Sequence, residues 1–299
     1  MSRQPARRRR ATRMPTIDGL LLVDKPAGCT SHDVVAIARR ALGVRRMGHG
    51  GTLDPFATGL LVLLVGRATR LLPYLEGEPK VYAATIRLGD ETDTDDSTGR
   101  VVRAAPVPDR AAVEQAMRGL TGTTHQVPPA YSAKQVAGQR AHAAARRGAP
   151  IDLAPAAVTV HEWIVHEWRR DEVDVTVTCS AGTYVRALAR DVGRAAGSAA
   201  HLGALRRLRS GPFDVRDAAT LDTVRSGGAS ILPPVAAVPS MPVLALDADS
   251  VRQVRMGRDV AVAGSGADRA ALVDHAGTLV AIADRHGDWW HPRTVLADD

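Results

Sequence analysis

The run Leu60-Leu61-Val62-Leu63-Leu64-Val65, closed by Gly66, carries no polar side chain on either face. A half-buried strand alternates apolar and polar residues, so an unbroken run of this length reads as a strand covered on both sides. Gly19-Leu20-Leu21-Leu22-Val23-Asp24 has the same character and reads as a second buried strand. The fold must therefore supply a sheet with cover for these strands. What precedes the first run is not needed to fold it. Gly48-His49-Gly50-Gly51-Thr52-Leu53-Asp54-Pro55-Phe56-Ala57-Thr58-Gly59 crowds a histidine, a hydroxyl and a carboxylate among glycines. Asp54 precedes proline, which biases its backbone to extended conformations, and the glycines permit close approach of another backbone.

The rest of the chain alternates strand and helix signals. Lys25-Pro26-Ala27-Gly28 turns the chain, and Thr30-Ser31 can cap a helix over residues 34–42. Residues 68–75 read as a short helix, and 80–89 alternate at period two as a strand does. Asp90, Glu91, Asp93, Asp95 and Asp96 follow. An EF-hand counted from Asp93 needs Gly and Glu where Thr98 and Ala104 stand, so the run reads as an acidic loop. Pro108-Asp109 opens a helix to about residue 118. Residues 123–155 fit no period and read as an inserted arm, with an extended piece at Pro128-Pro129-Ala130-Tyr131-Ser132-Ala133-Lys134. Arg140, His142, Arg146 and Arg147 follow on an alanine-rich helix. Residues 158–168 and 173–179 read as an antiparallel pair. A helix over 183–196 places Tyr184 and Arg186 in its first turn. Residues 200–208 return to the sheet, 217–225 form a short helix, and the prolines of 233–242 mark a linker. Short apolar runs from Val243 onward suggest a small β-barrel-like module.

The formal net charge is +7, and Arg3, Arg7, Arg8, Arg9, Arg10 and Arg13 supply most of it. A polyanionic partner fits, RNA or DNA before a membrane surface, but the basicity belongs to the tail. That tail, residues 1–14, reads as disordered. Cys29 and Cys179 offer no disulfide framework and suit a reducing cytosol. No zinc-ligand spacing, signal peptide or membrane span is evident.

By itself Asp54 has three readings: a turn residue bonding its own backbone, a metal ligand, or a nucleophile or base. P-loop chemistry lacks its Gly-Lys-Ser/Thr, a dinucleotide fingerprint would need the strand before the glycines, and a hydrolase elbow is missing.

The stretch from Gly48 to Leu61 closely resembles the signature of the TruB-type tRNA pseudouridine synthases. So do Asp24-Lys25-Pro26-Ala27-Gly28-Cys29-Thr30-Ser31, Lys80-Val81-Tyr82, Thr92-Asp93-Thr94-Asp95, Pro128-Pro129-Ala130-Tyr131-Ser132-Ala133, Gly182-Thr183-Tyr184-Val185-Arg186 and Leu205-Arg206-Arg207-Leu208. Together they run in the family's order over residues 24–208. The resemblance implies isomerisation of a T-loop uridine, at tRNA position 55, with no cofactor and no metal. It implies Asp54 as the catalytic carboxylate, either attacking C1′ or removing the C2′ proton. Arg186 is implied to pair with Asp54 and keep it ionised, Tyr82 to stack on the uracil, and Tyr184 and Leu205 to line the pocket. His49 takes the position that fills the vacated base stack. Lys25, Arg70, Arg140, Arg146 and Arg147 are candidate RNA contacts. The sequence departs from the family where Gly50 replaces a frequent Thr, Arg70 a frequent Lys, and Lys134 comes one place early.

The expected architecture is mixed α/β (α+β), the pseudouridine synthase fold: a largely antiparallel sheet with flanking helices. It comprises a catalytic domain over 15–238, an arm over about 123–155, and a PUA-type RNA-binding module over 243–299. The chain is expected to be a cytoplasmic monomer that binds the T-arm of tRNA. The alternatives are a pseudouridine synthase acting on another RNA, and an RNA-binding or RNA-folding protein.

Overall fold

The computed structural model describes residues 17–77, 79–132, 134–136, 139–147, 149, 151–263 and 266–296. The basic tail of residues 1–14 and the side chains of Arg140, His142 and Arg146 lie outside the described residues. The sheet strands are β1 (Gly19–Lys25), β2 (Met47–His49), β3 (Thr58–Val65), β4 (Lys80–Leu88), β5 (Gly122–Gln126), β6 (Ala156–Trp168), β7 (Glu172–Cys179), β8 (Ala200–Ser210) and β9 (Ala219–Thr220). Their order is β9-β1-β3-β8-β4-β7-β6-β5, with β2 added to β3 and the short strand Phe213–Asp214 added to β8. Only β1 with β9 and β3 with β8 run parallel. The expected mixed, largely antiparallel sheet is present.

The unbroken apolar runs are explained by parity. Leu20, Leu22, Leu60, Val62 and Leu64 face one side and share a core with Ala271, Val273, Leu279 and Ile282 near the C-terminus. Leu21, Val23, Leu61, Leu63 and Val65 face the other and pack on Val34, Val35 and Ala38 of helix α1 (Ser31–Leu42). Each fully buried Leu or Val contributes about 1.5–3 kcal/mol relative to exposure, on either face. A polar residue at any of these positions would meet apolar neighbours. Helix α1 starts three residues earlier than the periodicity suggested because its cap is complete. Thr30 Oγ1 accepts from the Asp33 amide at 3.1 Å, and Asp33 accepts from the Thr30 amide at 2.9 Å.

Helices α2 (Arg110–Gly119) and α3 (Val185–Ala195) cover the middle of the sheet. Val113, Ala116, Met117, Leu188, Ala189 and Val192 pack there on Ala84, Ile86, Val173, Val175 and Val177. The residues expected to open the arm instead form β5, the edge strand paired to β6. The arm proper follows Gln126. Its helix spans Ala141–Arg146, so Arg140 and Arg147 flank it. The helix expected over 217–225 begins at Leu221, because Ala219 and Thr220 are drawn into the sheet beside Val23 and Asp24.

The C-terminal unit contains β10 (Val243–Ala245), α4 (Ala248–Arg255), β11 (Arg269–Val273), β12 (Leu279–His286) and β13 (Trp289–Val295). Its four strands lie in chain order as an open sheet among the described residues, where a barrel-like closure was expected. The run 259–263 contributes only a bridge from Val260 to Trp290, and α4 packs Val251 and Val254 into the core of this unit. The proline-rich stretch before it is packed: Leu232 bridges to Leu20, and Ala237 and Val238 are buried. No helix of the described residues is long and apolar enough to cross a membrane.

Candidate active site

The loop between β2 and β3 holds Asp54, and neighbouring segments tie it down from both sides. The Leu53 amide donates to Ser31 Oγ at 2.9 Å, and that hydroxyl lies 3.2 Å from the Leu53 carbonyl. The Gly28 amide donates to the Pro55 carbonyl at 2.8 Å. Lys25 is fully buried, and its ammonium donates to the carbonyls of Pro26, Cys29 and Pro55 at 3.0, 2.8 and 3.3 Å. Its donors are thus spent inside the protein. The sequence expectation of a phosphate contact gives way to a brace under the Asp54 loop.

Helix α3 brings Arg186 to Asp54. Arg186 Nε and Nη2 donate to Oδ2 and Oδ1, each at 2.9 Å, in a planar fork. The remaining donors are also engaged: Nη1 with the Thr94 carbonyl at 3.0 Å and Nη2 with the Tyr131 carbonyl at 3.0 Å. Asp96 lies 3.7 Å from Nη1. The acidic run beside it is not a solvated loop. Arg186, Arg190 and Arg194 recur every fourth residue, which puts them on one face of α3. Arg190 reaches Asp95 at 2.8 Å, and Arg194 grips Glu91 through contacts of 3.0 and 2.7 Å. Asp95 sits at φ 59°, a strained position for a side-chain-bearing residue. Arg190 also donates to the Val127 carbonyl at 2.8 Å and so fastens the start of the arm.

Above the Asp54–Arg186 pair lies a cavity of about 260 Å³ whose walls include Tyr82, Tyr131, Tyr184, Leu205, Lys80 and Arg207. Tyr184 is not in the first turn of α3; it is the extended residue before it. Gln126 holds it there, donating to its carbonyl at 3.1 Å and accepting from its amide at 2.9 Å. Tyr82 on β4 stands directly opposite Arg207 on β8. On its other side the same arginine pairs with Gly59 of β3. At φ 99° the glycine lies against Arg207, whose carbonyl oxygen would be 2.3 Å from any Cβ there.

The pair is electrostatically poised. About a third of the Asp54 side chain opens into the cavity, whereas Arg186 is 4% exposed. Burial pushes the Asp54 pKa above its ordinary value, and the Arg186 charge and hydrogen bonds pull against that rise without cancelling it. Burial also raises the phenols of Tyr82 and Tyr184.

The structure thus brings Asp54, Arg186, Tyr82, Tyr184 and Leu205 to one cavity. His49 is not among the cavity's lining residues; it sits on β2, its ring edge-on to His32 at 5.4 Å. Burial lowers its pKa, with His32 and Arg207 adding to the effect. Arg70 donates to the Val295 carbonyl at 2.6 Å, joining the catalytic unit to β13. Arg147 is exposed on the arm, away from these lining residues. Sequence reasoning missed Lys80 and Arg207. Period two was the available signal: Lys80 shares a strand face with Tyr82, and Arg207 with Leu205.

Residues 39–185 match the model of the TruB family pseudouridylate synthase N-terminal domain, and residues 186–229 that of the tRNA pseudouridylate synthase B C-terminal domain. The chain is 47% identical over 291 residues to tRNA pseudouridine synthase B of Thermobifida fusca, covering 94% of this chain and 99% of that one. It is 44% identical over 297 residues to the protein of that name from Arthrobacter sp. (strain FB24), covering 94% and 97%. A solved structure of an H/ACA RNP bound to a substrate RNA containing 2′-deoxyuridine has a similar chain. The TM-score is 0.69 at 25% identity, over 94% of this chain and 85% of that one.

Proposed function

This chain belongs to the TruB family of pseudouridylate synthases, and from that membership we propose that it is a tRNA pseudouridine synthase acting on the T-loop uridine at position 55. The observation that carries the reading is the forked Asp54–Arg186 pair beneath a cavity walled by Tyr82, Tyr184 and Leu205. The cavity suits one flipped base. Extrusion costs a few kcal/mol, and stacking on Tyr82 returns roughly 1–3 kcal/mol of it. His49, on the strand leading to the loop, takes the vacated place in the RNA stack.

Asp54 faces the ribose and acts on C1′ or on the C2′ proton. Arg186 aims the carboxylate and favours its charged form. Tyr82 holds the uracil while it turns over and presents C5 to C1′. The arm with Arg140, Arg146 and Arg147 closes on the T-arm, and the C-terminal unit, as a PUA-type module, holds the acceptor side. The protein works as a cytoplasmic monomer, and the chemistry uses no cofactor and no metal.

The test is tritium release from an unmodified T-arm hairpin labelled at uridine C5. Wild type should release label without additions, and Asp54→Ala should not. Release by the variant, or none by wild type on any tRNA, overturns the reading. The likeness to an RNP that holds a substrate RNA supports a second reading, a synthase for another RNA. Release from ribosomal RNA fragments but not from the T-arm would favour it.

A further inference from the structure

The charged side chains lining the cavity do not balance. Asp54 is the one carboxylate among them, and Lys80, Arg186 and Arg207 are cations. Arg186 is committed to Asp54, which leaves Arg207 without a matching carboxylate among the lining residues. Lys80 is itself buried and lies near Arg207, its Cε 3.6 Å from the Cβ position of Gly51.

Arg207 is the more unusual of the two. It is 1% exposed, yet among the described residues it has no carboxylate partner. Its Nε donates to the Leu60 carbonyl at 2.7 Å and its Nη2 to the Gly51 carbonyl at 3.1 Å. Tyr82 is the residue opposite it in the sheet. Nη1 points toward Gly51, where a Cβ would stand 3.4 Å away, so the bare glycine leaves the cation close to the cavity. A buried guanidinium held by carbonyls alone is costly unless its charge is used.

Pseudouridine formation creates a charge for it to meet. When the N1–C1′ bond breaks, its electron pair stays with N1 and the uracil separates as an anion. After the base turns, a pair from C5 forms the new bond to C1′; C5 then loses its proton and N1 gains one. We infer that Arg207 is a charge-stabilising and positioning residue for the detached uracil anion, acting from the cavity wall beside Tyr82. This rests on the pseudouridine synthase reading above. Asp54 addresses the sugar, and Arg207 addresses the leaving base. Fixed positive charge where negative charge develops favours the transition state over the neutral bound substrate.

The experiment compares full-length wild type, Arg207→Gln and Arg207→Lys on T-arm hairpins carrying uridine or 5-fluorouridine at the target position. Single-turnover cleavage of the N1–C1′ bond is followed, and hairpin affinity is measured separately. Fluorine stabilises the uracil anion intrinsically, so it relieves the need for an external cation. Arg207→Gln should lose roughly 100-fold with uridine, about the effect of deleting one donor to a developing oxyanion, and much less with 5-fluorouridine, at nearly unchanged affinity. Arg207→Lys should recover most of the loss. Equal losses on both substrates, or a loss confined to affinity, would overturn the inference. If Arg207→Gln does not fold, wild type decides through competition by 5-nitrouracil. Inhibition should tighten as pH rises through that base's own ionisation; flat, weakening or absent inhibition overturns the inference. A wild type inactive on the T-arm would sink the synthase reading itself, whereas an active wild type with equal losses sinks only the role of Arg207.

Discussion

Asp54 and Arg186, 132 positions apart in the chain, meet through two parallel hydrogen bonds of 2.9 Å. The fork fixes both carboxylate oxygens and leaves about a third of the aspartate side chain open to the cavity.

Asp54→Asn keeps the shape and removes the base or nucleophile. Turnover of the T-arm hairpin is expected to fall by roughly 10²–10⁴-fold, the range for loss of a positioned acid–base group. The circular dichroism spectrum should stay that of wild type. Activity within tenfold of wild type would remove Asp54 from the chemistry.

Arg186→Gln should move the acid limb of the pH–rate profile. Burial already raises the Asp54 pKa, and Arg186 opposes the rise. Removing the guanidinium raises it further, so at any given pH less of the carboxylate is ionised. The rate should therefore fall away at higher pH than in wild type. A limb that stays put or moves down contradicts the electrostatic role. Because Asp54 is partly open, the stability loss should stay below the roughly 3–5 kcal/mol of a fully buried pair.

Gly59 and Gly50 should respond unequally to alanine. Gly59 is at φ 99° with the Arg207 carbonyl 2.3 Å from a Cβ, and Gly59→Ala should cost about 1–3 kcal/mol by urea unfolding. At Gly50 a Cβ meets nothing nearer than 3.8 Å, and Gly50→Ala should fall within about 0.5 kcal/mol of wild type. Equal effects would refute the close approach of the two strands.

Lys25→Met separates a brace from a phosphate contact. Three backbone carbonyls lose the ammonium donor, although Pro55 keeps the Gly28 amide, so stability should drop by about 2–4 kcal/mol. The salt dependence of hairpin binding should be unchanged. Arg147→Ala, on an exposed arm residue, should instead leave stability alone and lower the salt slope by about one ion. A reduced slope in Lys25→Met would restore it as an RNA contact.

Features whose causes are local were legible in the chain itself. The cap at Thr30, the alternation of β4 and the unbroken runs of β1 and β3 each follow from residues a few positions apart. The run 90–96 was read as an acidic loop; Asp93 and Glu91 do find Arg100 and Arg103 nearby, but other partners lie far off in the chain. Those arginines stand on α3, about a hundred positions later: Arg190 is 95 from Asp95, and Arg194 is 103 from Glu91. A four-residue recurrence of arginine was visible, but its target was not. The C-terminal runs showed strands without showing whether their sheet closes, because closure depends on edge pairing and on where α4 packs.

The sequence alone determined the family signature and most of the strands, and through that signature it pointed to Asp54. Tertiary structure decided what each cation does. Arg186 grips Asp54, Arg70 holds the last strand, Lys25 props the loop, and Arg207 lies buried beside Tyr82. A side chain's charge is written in its chemistry, but its work depends on burial and on which distant carbonyl or carboxylate comes within about 3 Å. Those distances are properties of the packed sheet and not of any stretch of chain.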